Sequence, residues 1–308
     1  MTGTTLRRMR PWLGTYVSIE ACAADATHAA LAIEAAFVEI ATIHAAMSFH
    51  SATSELAQLH REAPRRPIRV GWHTWAVLAQ AQHLARLSDG VFDPTVAPQL
   101  VRHAALPRPE GPAPDETGNW RDIELLNDQQ VRFRRPLWID LGGIAKGYAV
   151  DRAVAALQRS GIRYGSVNAG GDLRVFGDAP EDLPLAVRNP VDPATQIVLG
   201  TLRNRAVATS GEFFLGREGD TGGLSPIVDP ARGIRPAHAR SVTVIAETCT
   251  VADGLTKIVS LLGPKAQTLL DHFGATAAII EPPDQLHAAD GFWAALGHTQ
   301  PPGELLHA

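Results

Sequence analysis

The chain is short of lysine and of cysteine, and it has neither a long basic run nor an unbroken apolar one. Its three lysines, Lys146, Lys257 and Lys265, stand against 25 arginines, the 28 basic residues less three. Two cysteines, Cys22 and Cys249, rule out a disulfide framework, and with no Cys-x-x-Cys or His-Glu-x-x-His spacing they rule out the usual zinc sites. A net charge of −4 without a basic stripe gives nucleic acid nothing to hold. The densest basic cluster, Arg7-Arg-Met-Arg10, reads as a solvated start to the fold. Residues 24–47 are rich in alanine, but His28, Glu34, Glu39 and His44 interrupt them, so the reading is an amphipathic helix and no membrane span. No apolar segment follows the N-terminal arginines. A cytoplasmic location is therefore expected from the sequence as written, and a periplasmic one if the gene start is misplaced.

What is present is 308 residues with 45% hydrophobic content, enough for one large domain or two intimately joined lobes over 1–308. Alternation predicts a strand over 11–21, and helical spacing predicts helices over 24–47 and 73–87. Ser54 is placed to cap a short helix, and 106–117, with its prolines and acids, reads as a surface loop. Pro136–Ile139 reads as a strand giving way to a helix over Tyr148–Gln158. Further strands are expected at Tyr164–Asn168, 184–188, 198–208, Ser241–Ile245 and Thr276–Ile280, with helices at Val251–Leu262 and Lys265–Phe273. Long helices between strands without regular βαβ spacing favour an α+β fold.

The densest chemistry lies in Asp140-Leu-Gly-Gly-Ile-Ala-Lys-Gly147, followed by Asp151. A glycine-rich turn entering a helix offers N–H groups at the positive helix end, a setting for phosphate or pyrophosphate. Gly142, Gly143 and Gly147 allow close backbone approach, and Lys146 adds a compact cation. The spacing fits neither the phosphate loop of nucleotide hydrolases nor a three-glycine dinucleotide turn. Other short motifs are individually ordinary. Gly170-Gly-Asp172 reads as a tight turn, Thr209-Ser-Gly211 as a cap or an anion cradle, Phe92-Asp-Pro-Thr95 as a turn, and Asp229-Pro-x-x-Gly233 as a loop. Ala252-Asp253 puts an acid in a first helical turn.

Their order carries more than any member does. Leu13-Gly-Thr15, Met47-Ser48 with Ser54-Glu-Leu56, Asp89-Gly90 with Phe92–Thr95, the Asp140–Asp151 block, Asn168–Asp172, Ala208–Gly211, Val228–Pro230 with Gly233, and Ser241–Val244 with Ala252-Asp253 form a series. The series resembles the ApbE family of FAD:protein FMN transferases from about residue 8 to about 280. The resemblance implies an α+β, T-fold-like arrangement of mixed sheets with packed helices. It implies FAD as substrate, Mg²⁺ as cofactor, and a target protein whose Thr or Ser hydroxyl receives FMN as AMP leaves. On this footing Asp253, Lys146 and Asp229 are the catalytic candidates. Gly142, Gly143, Lys146, Gly147, Asp93, Thr95, Met47, Asp172, Thr209, Ser210 and Lys257 would line the FAD site. Gly143, Asp253 and Thr256 are the candidate metal ligands.

The sequence departs from the family pattern at two places. The family's late motif runs Ala-Asp-x-x-x-Thr, the aspartate and threonine both binding metal, whereas this chain has Lys257 at the threonine position. Residues i and i+4 share a helix face, so Lys257 can reach Asp253, but an ammonium has no lone pair for a metal. Three accounts stay open: the ammonium replaces the cation, Thr256 turns inward and restores the site, or the protein binds flavin without transferring it. Hydrolysis of FAD to FMN and AMP is a further alternative activity. The second departure is Pro226, where a histidine is common three residues before Asp229. His60, where asparagine is common, is a milder change.

Overall fold

The computed structural model describes residues 3–179, 181–190, 192, 194–211, 227–234, 241–281, 285–298 and 306–307. Pro226 lies outside them. In chain order the elements are β1 (Thr4–Trp12), β2 (Thr15–Ala23), α1 (Ala26–Met47), α2 (Glu55–Glu62), β3 (Ile68–Arg69), α3 (Trp72–Leu87), α4 (Ala97–Arg102), β4 (Ile123–Leu126) and β5 (Gln130–Phe133). There follow α5 (Ala145–Arg159), β6 (Tyr164–Ala169), β7 (Asp172–Phe176), β8 (Leu183–Arg188), β9 (Gln196–Leu202), β10 (Ala206–Gly211), β11 (Ser241–Ala246), α6 (Cys249–Leu262), α7 (Gln267–His272), β12 (Thr276–Glu281), β13 (Gln285–Ala288), α8 (Phe292–Ala295) and β14 (Leu306–His307).

The chain forms two compact units, one of Met1–Ile40, Lys146–Ser225 and Ala237–Ala308, the other of Ala41–Ala145 and Pro226–Pro236. In the first, eight strands pair in the order β1-β2-β6-β7-β10-β11-β12-β13, every neighbour antiparallel. The architecture is α+β, as the irregular strand–helix spacing implied. A three-stranded sheet, β14-β9-β8, belongs to the same unit. Leu173, Val175, Val207 and Ile245 of the large sheet join Leu185, Val187, Ile197 and Leu199 of the small one in an apolar core. Side chains alternate along a strand, so Asp172 and Arg174 face the other way from Leu173 and Val175. On that face α6 packs against β10 and β11. Strand β11 is buried at all six positions because both its faces are covered. The second unit contains α2, α3, α4 and the short sheet β3-β5-β4.

Several elements differ from the sequence expectation. The strand read over 11–21 is the second arm of a hairpin. Leu13 (φ 57°) and Gly14 (φ 73°) form its two-residue left-handed turn, and β1 carries the arginine cluster along the sheet edge. The strand read over 198–208 is two strands in different sheets, broken at Arg203–Arg205 with Asn204 at φ 45°. Pro136–Ile139 makes no strand pairing. Pro136 lacks an N–H, and the N–H of Ile139 donates to His60 Nε2 (3.1 Å) instead. The helix expected from Tyr148 starts at Ala145, which brings Lys146 and Gly147 into its first turn. Lys265–Phe273 is a 3₁₀ turn, Gly263–Ala266, leading into α7. Helix α1 is long and apolar enough to cross a membrane by length and composition, with a mean hydropathy of 1.5. Its stripe Ala29, Ala32, Ile33, Ala36, Phe37 and Ile40 is nonetheless buried in the protein, and Glu34 and Glu39 pair with Arg10 and Arg159.

Candidate functional site

The site begins at a hairpin. Gly170 (φ 62°) and Gly171 (φ 103°) turn the chain between β6 and β7, with Ala169 opposite Asp172. A side chain at Gly170 would strike Thr15 at 2.4 Å, so the turn needs glycine for space as well as for φ. The turn sets Asp172 as the first residue of β7, on the helix-covered face. Its carboxylate does not close its own turn: it accepts a 2.7 Å hydrogen bond from Lys146 Nζ.

Helix α6 brings the second carboxylate. Thr248 caps the helix, accepting from Val251 N–H, and Asp151 on α5 accepts from the N–H groups of Cys249 (2.9 Å) and Thr250 (2.8 Å). The same Asp151 pairs with Arg174 at 2.6 Å. One turn on, Asp253 is fully buried. Its Oδ2 accepts from Gly147 N–H at 3.0 Å, and its Oδ1 pairs with Lys257 Nζ. Lys257 Nζ also donates to the Asp253 carbonyl oxygen at 3.1 Å. Gly147 is what lets α5 approach this closely, since a Cβ there would lie 2.2 Å from the Cys249 carbonyl oxygen and 2.8 Å from Asp253 Cβ.

Two ammonium groups therefore meet two buried carboxylates. The Lys146 side chain is 31% exposed and that of Lys257 18%, against 1% and 0% for Asp172 and Asp253, so the cluster opens toward solvent through its cations. Burial alone pulls the Lys146 ammonium down, but the charges of Asp253 and Asp172 outweigh it and hold the group above the ordinary lysine range. Burial also works to raise Asp253. The charges of Lys146 and Lys257, with the Gly147 N–H, reverse that and bring it below the carboxylate norm. Asp172 goes the other way. Burial and the neighbouring Asp253 charge push it up to about 7, only partly opposed by the two lysines.

The structure thus gathers Lys146, Gly147, Asp172, Asp253 and Lys257. Ser210 and Thr256 adjoin them. Thr256 is buried, its hydroxyl donates to the Asp253 carbonyl at 2.7 Å, and Ser210 Oγ lies 2.8 Å from it. Thr209 points to the opposite sheet face and meets Thr243 Oγ1 at 3.0 Å, so the neighbouring hydroxyls of residues 209 and 210 do not form one cradle. Gly142, Gly143, Met47, Asp93, Thr95 and Asp229 belong to the second unit. There the Gly142 N–H donates to Asp140 Oδ1 (3.1 Å), and Met47 is buried. Asp93 accepts from Thr95 N and Oγ1 at 2.8 and 2.7 Å, and burial raises its carboxyl. Asp229 accepts from the N–H groups of Ala231 (2.9 Å) and Arg232 (3.2 Å), an arrangement that holds its own loop.

Sequence reading named Asp151 and His60 but gave neither a role. Asp151 sits inside the quoted motif, but its capping role depends on a helix 98 positions away. His60 Nε2 lies 3.0 Å from the Ile139 carbonyl and 3.1 Å from its N–H, and burial lowers its pKa to about 4. A neutral ring there tethers 139 to α2.

The donor set does not fit a divalent cation. Asp253 is already paired to an ammonium, and the Thr256 oxygen, whose own proton goes to the Asp253 carbonyl, already accepts from Ser210. Among the described residues no group of three or more His, Cys, Asp or Glu is placed to hold a metal.

Fold and cluster together define an α+β protein whose charged chemistry is concentrated where two helices meet one sheet face. Comparison with known proteins assigns the family. Residues 13–280 match the ApbE family, and the chain belongs to it. It is 32% identical to an FAD:protein FMN transferase of Vibrio cholerae over 222 residues, 68% of this chain and 66% of that protein. It is 30% identical to one of Haemophilus influenzae, covering 64% of this chain and 62% of that protein. The matched region thus spans just under two thirds of these relatives. A crystal structure of the Thermotoga maritima ApbE protein superposes with a TM-score of 0.82 at 26% identity, covering 95% of this chain and 99% of that one.

Proposed function

We propose that this protein is an FAD:protein FMN transferase, taking FAD as substrate and a Thr or Ser hydroxyl of a target protein as acceptor. The observation that carries the reading is the buried Lys146–Asp172 and Asp253–Lys257 cluster at the first turn of α5, in a chain of the ApbE family. In the reaction the acceptor oxygen forms a bond to the FMN-side phosphorus. The pyrophosphate P–O bond breaks, and AMP leaves with the bridging oxygen. Charge builds on the phosphate oxygens as this happens, and fixed cations in a poorly solvated site offset it at no cost of reorganisation. Lys146 and Lys257 supply two such charges.

The hydroxyl proton needs an acceptor. Asp253 has its carboxylate engaged by an N–H and an ammonium, which favours a fixed electrostatic role. Asp172, raised to about 7, has the proton affinity suited to a general base near neutral pH.

The test is intact-mass analysis of a candidate acceptor domain incubated with this protein and FAD. A gain of one FMN unit, with AMP in equal amount, is expected, and Asp253→Ala should lose both while keeping its fold. A second reading, FAD binding without transfer, draws on the same Asp253–Lys257 pair, which occupies the carboxylate. Bound FAD with no mass gain and no AMP would favour it. AMP with an unmodified acceptor would mean that water is the nucleophile.

A further inference from the structure

We infer that the Lys257 ammonium is a built-in counter-charge at Asp253, standing where a divalent cation would sit. The protein then engages the FAD pyrophosphate without a metal ion. The second half of the inference rests on the FAD reading above; the first does not.

The geometry argues for it from several sides. Lys257 lies one helical turn after Asp253, and its Nζ is held twice by that residue, by Oδ1 and by the main-chain oxygen. The remaining carboxylate oxygen, Oδ2, accepts from Gly147 N–H. An incoming cation would have to displace the ammonium and leave it, still charged and only 18% exposed, beside a doubly charged ion. Lys146 cannot relieve the conflict, because it is a second cation facing the same carboxylates. Nor does Thr256 offer its oxygen freely: its hydroxyl donates to the Asp253 carbonyl and bonds to Ser210. The two ammonium groups face Asp253 and Asp172 from the solvent side. In this arrangement the Asp253 carboxylate already has its counter-charge without a metal.

The experiment uses Mn²⁺ as the probe, followed by electron paramagnetic resonance on the full-length protein freed of metal with EDTA. The wild-type protein is expected to leave the signal of free aqueous Mn²⁺ unchanged up to millimolar concentration. Lys257→Thr is expected to take up about one equivalent. FAD binding, read by quenching of flavin fluorescence, should have the same Kd in EDTA and in Mg²⁺ for the wild type. Lys257→Met should weaken it about tenfold or more in both. One equivalent of Mn²⁺ on the wild-type protein would overturn the inference. So would a folded Lys257→Thr that takes up none, or a tenfold tightening of wild-type FAD binding by Mg²⁺. Failure of FAD to bind under any condition would sink the FAD reading and leave the Mn²⁺ result to decide the ammonium's role.

Discussion

Replacing Gly147 with alanine sets two effects of opposite sign against each other. At an open helical position the change removes the conformational freedom of glycine and stabilises a helix by about 1 kcal/mol. At 147 the new methyl would sit 2.2 Å from the Cys249 carbonyl oxygen and 2.8 Å from Asp253 Cβ. The first obstacle is backbone, fixed by the Asp151 bonds to Cys249 and Thr250, so α5 must move away from α6. Overpacking of this kind costs about 1–3 kcal/mol, sometimes more. The shift also lengthens the 3.0 Å bond from Gly147 N–H to the buried Asp253 carboxylate, and a charge-assisted bond contributes about 1.5–3 kcal/mol. The clash and the weakened bond outweigh the helix gain, for a net loss of about 2–4 kcal/mol. Urea unfolding of wild type and Gly147→Ala, followed by circular dichroism, measures it. A variant as stable as wild type, or more stable, would show that the helices are not in contact through residue 147 and would refute the close-approach argument.

Three further outcomes follow from the same geometry. Asp151→Ala strips the acceptor from two N–H groups of α6 and from Arg174, and a drop of about 2–4 kcal/mol in unfolding free energy is expected by the same urea method. His60 is neutral in the folded protein down to about pH 4, while the unfolded chain takes up its proton near 6.5. Its contribution is therefore fully present above 6.5 and falls as pH drops toward 4. That difference corresponds to about 3 kcal/mol, visible as a wild-type urea midpoint that declines more steeply than that of His60→Gln. Lys146→Met removes the partner of Asp172 and one proposed phosphate cation. FAD affinity by fluorescence quenching should fall about tenfold or more, and an unchanged Kd would detach Lys146 from the pyrophosphate.

Much of the site was legible because its parts are chemically rare in this chain. Two of the three lysines lie in it, and lysine scarcity set Lys146 and Lys257 apart before any fold was known. The i, i+4 spacing of Asp253 and Lys257 predicts their pairing through local helix geometry alone, and the structure has it. Helix periodicity likewise marked α1, α3 and α6. Harder to see were the pieces whose partners are remote in sequence. From its own neighbourhood Asp172 read as a turn residue, and only the resemblance put it in the FAD site, since nothing local reveals an ammonium 26 positions earlier. Thr209-Ser-Gly211 read as a cap or an anion cradle, but strand pairing sends the two hydroxyls to opposite faces. Pro136–Ile139 read as a strand, yet one of its ladder donors, the Ile139 N–H, is claimed by His60 from 79 positions away.

The sequence by itself determined the local grammar: where helices run, which turns need glycine, which lysine can reach which aspartate. These depend on interactions a few residues long, for which the order of side chains is sufficient. Only the tertiary structure decided that Lys146 faces Asp172 and that Gly147 sits against α6. It also raised one carboxylate of the cluster and lowered the other. Those outcomes depend on burial and on charges carried by distant segments, and both exist only once the strands and helices have packed.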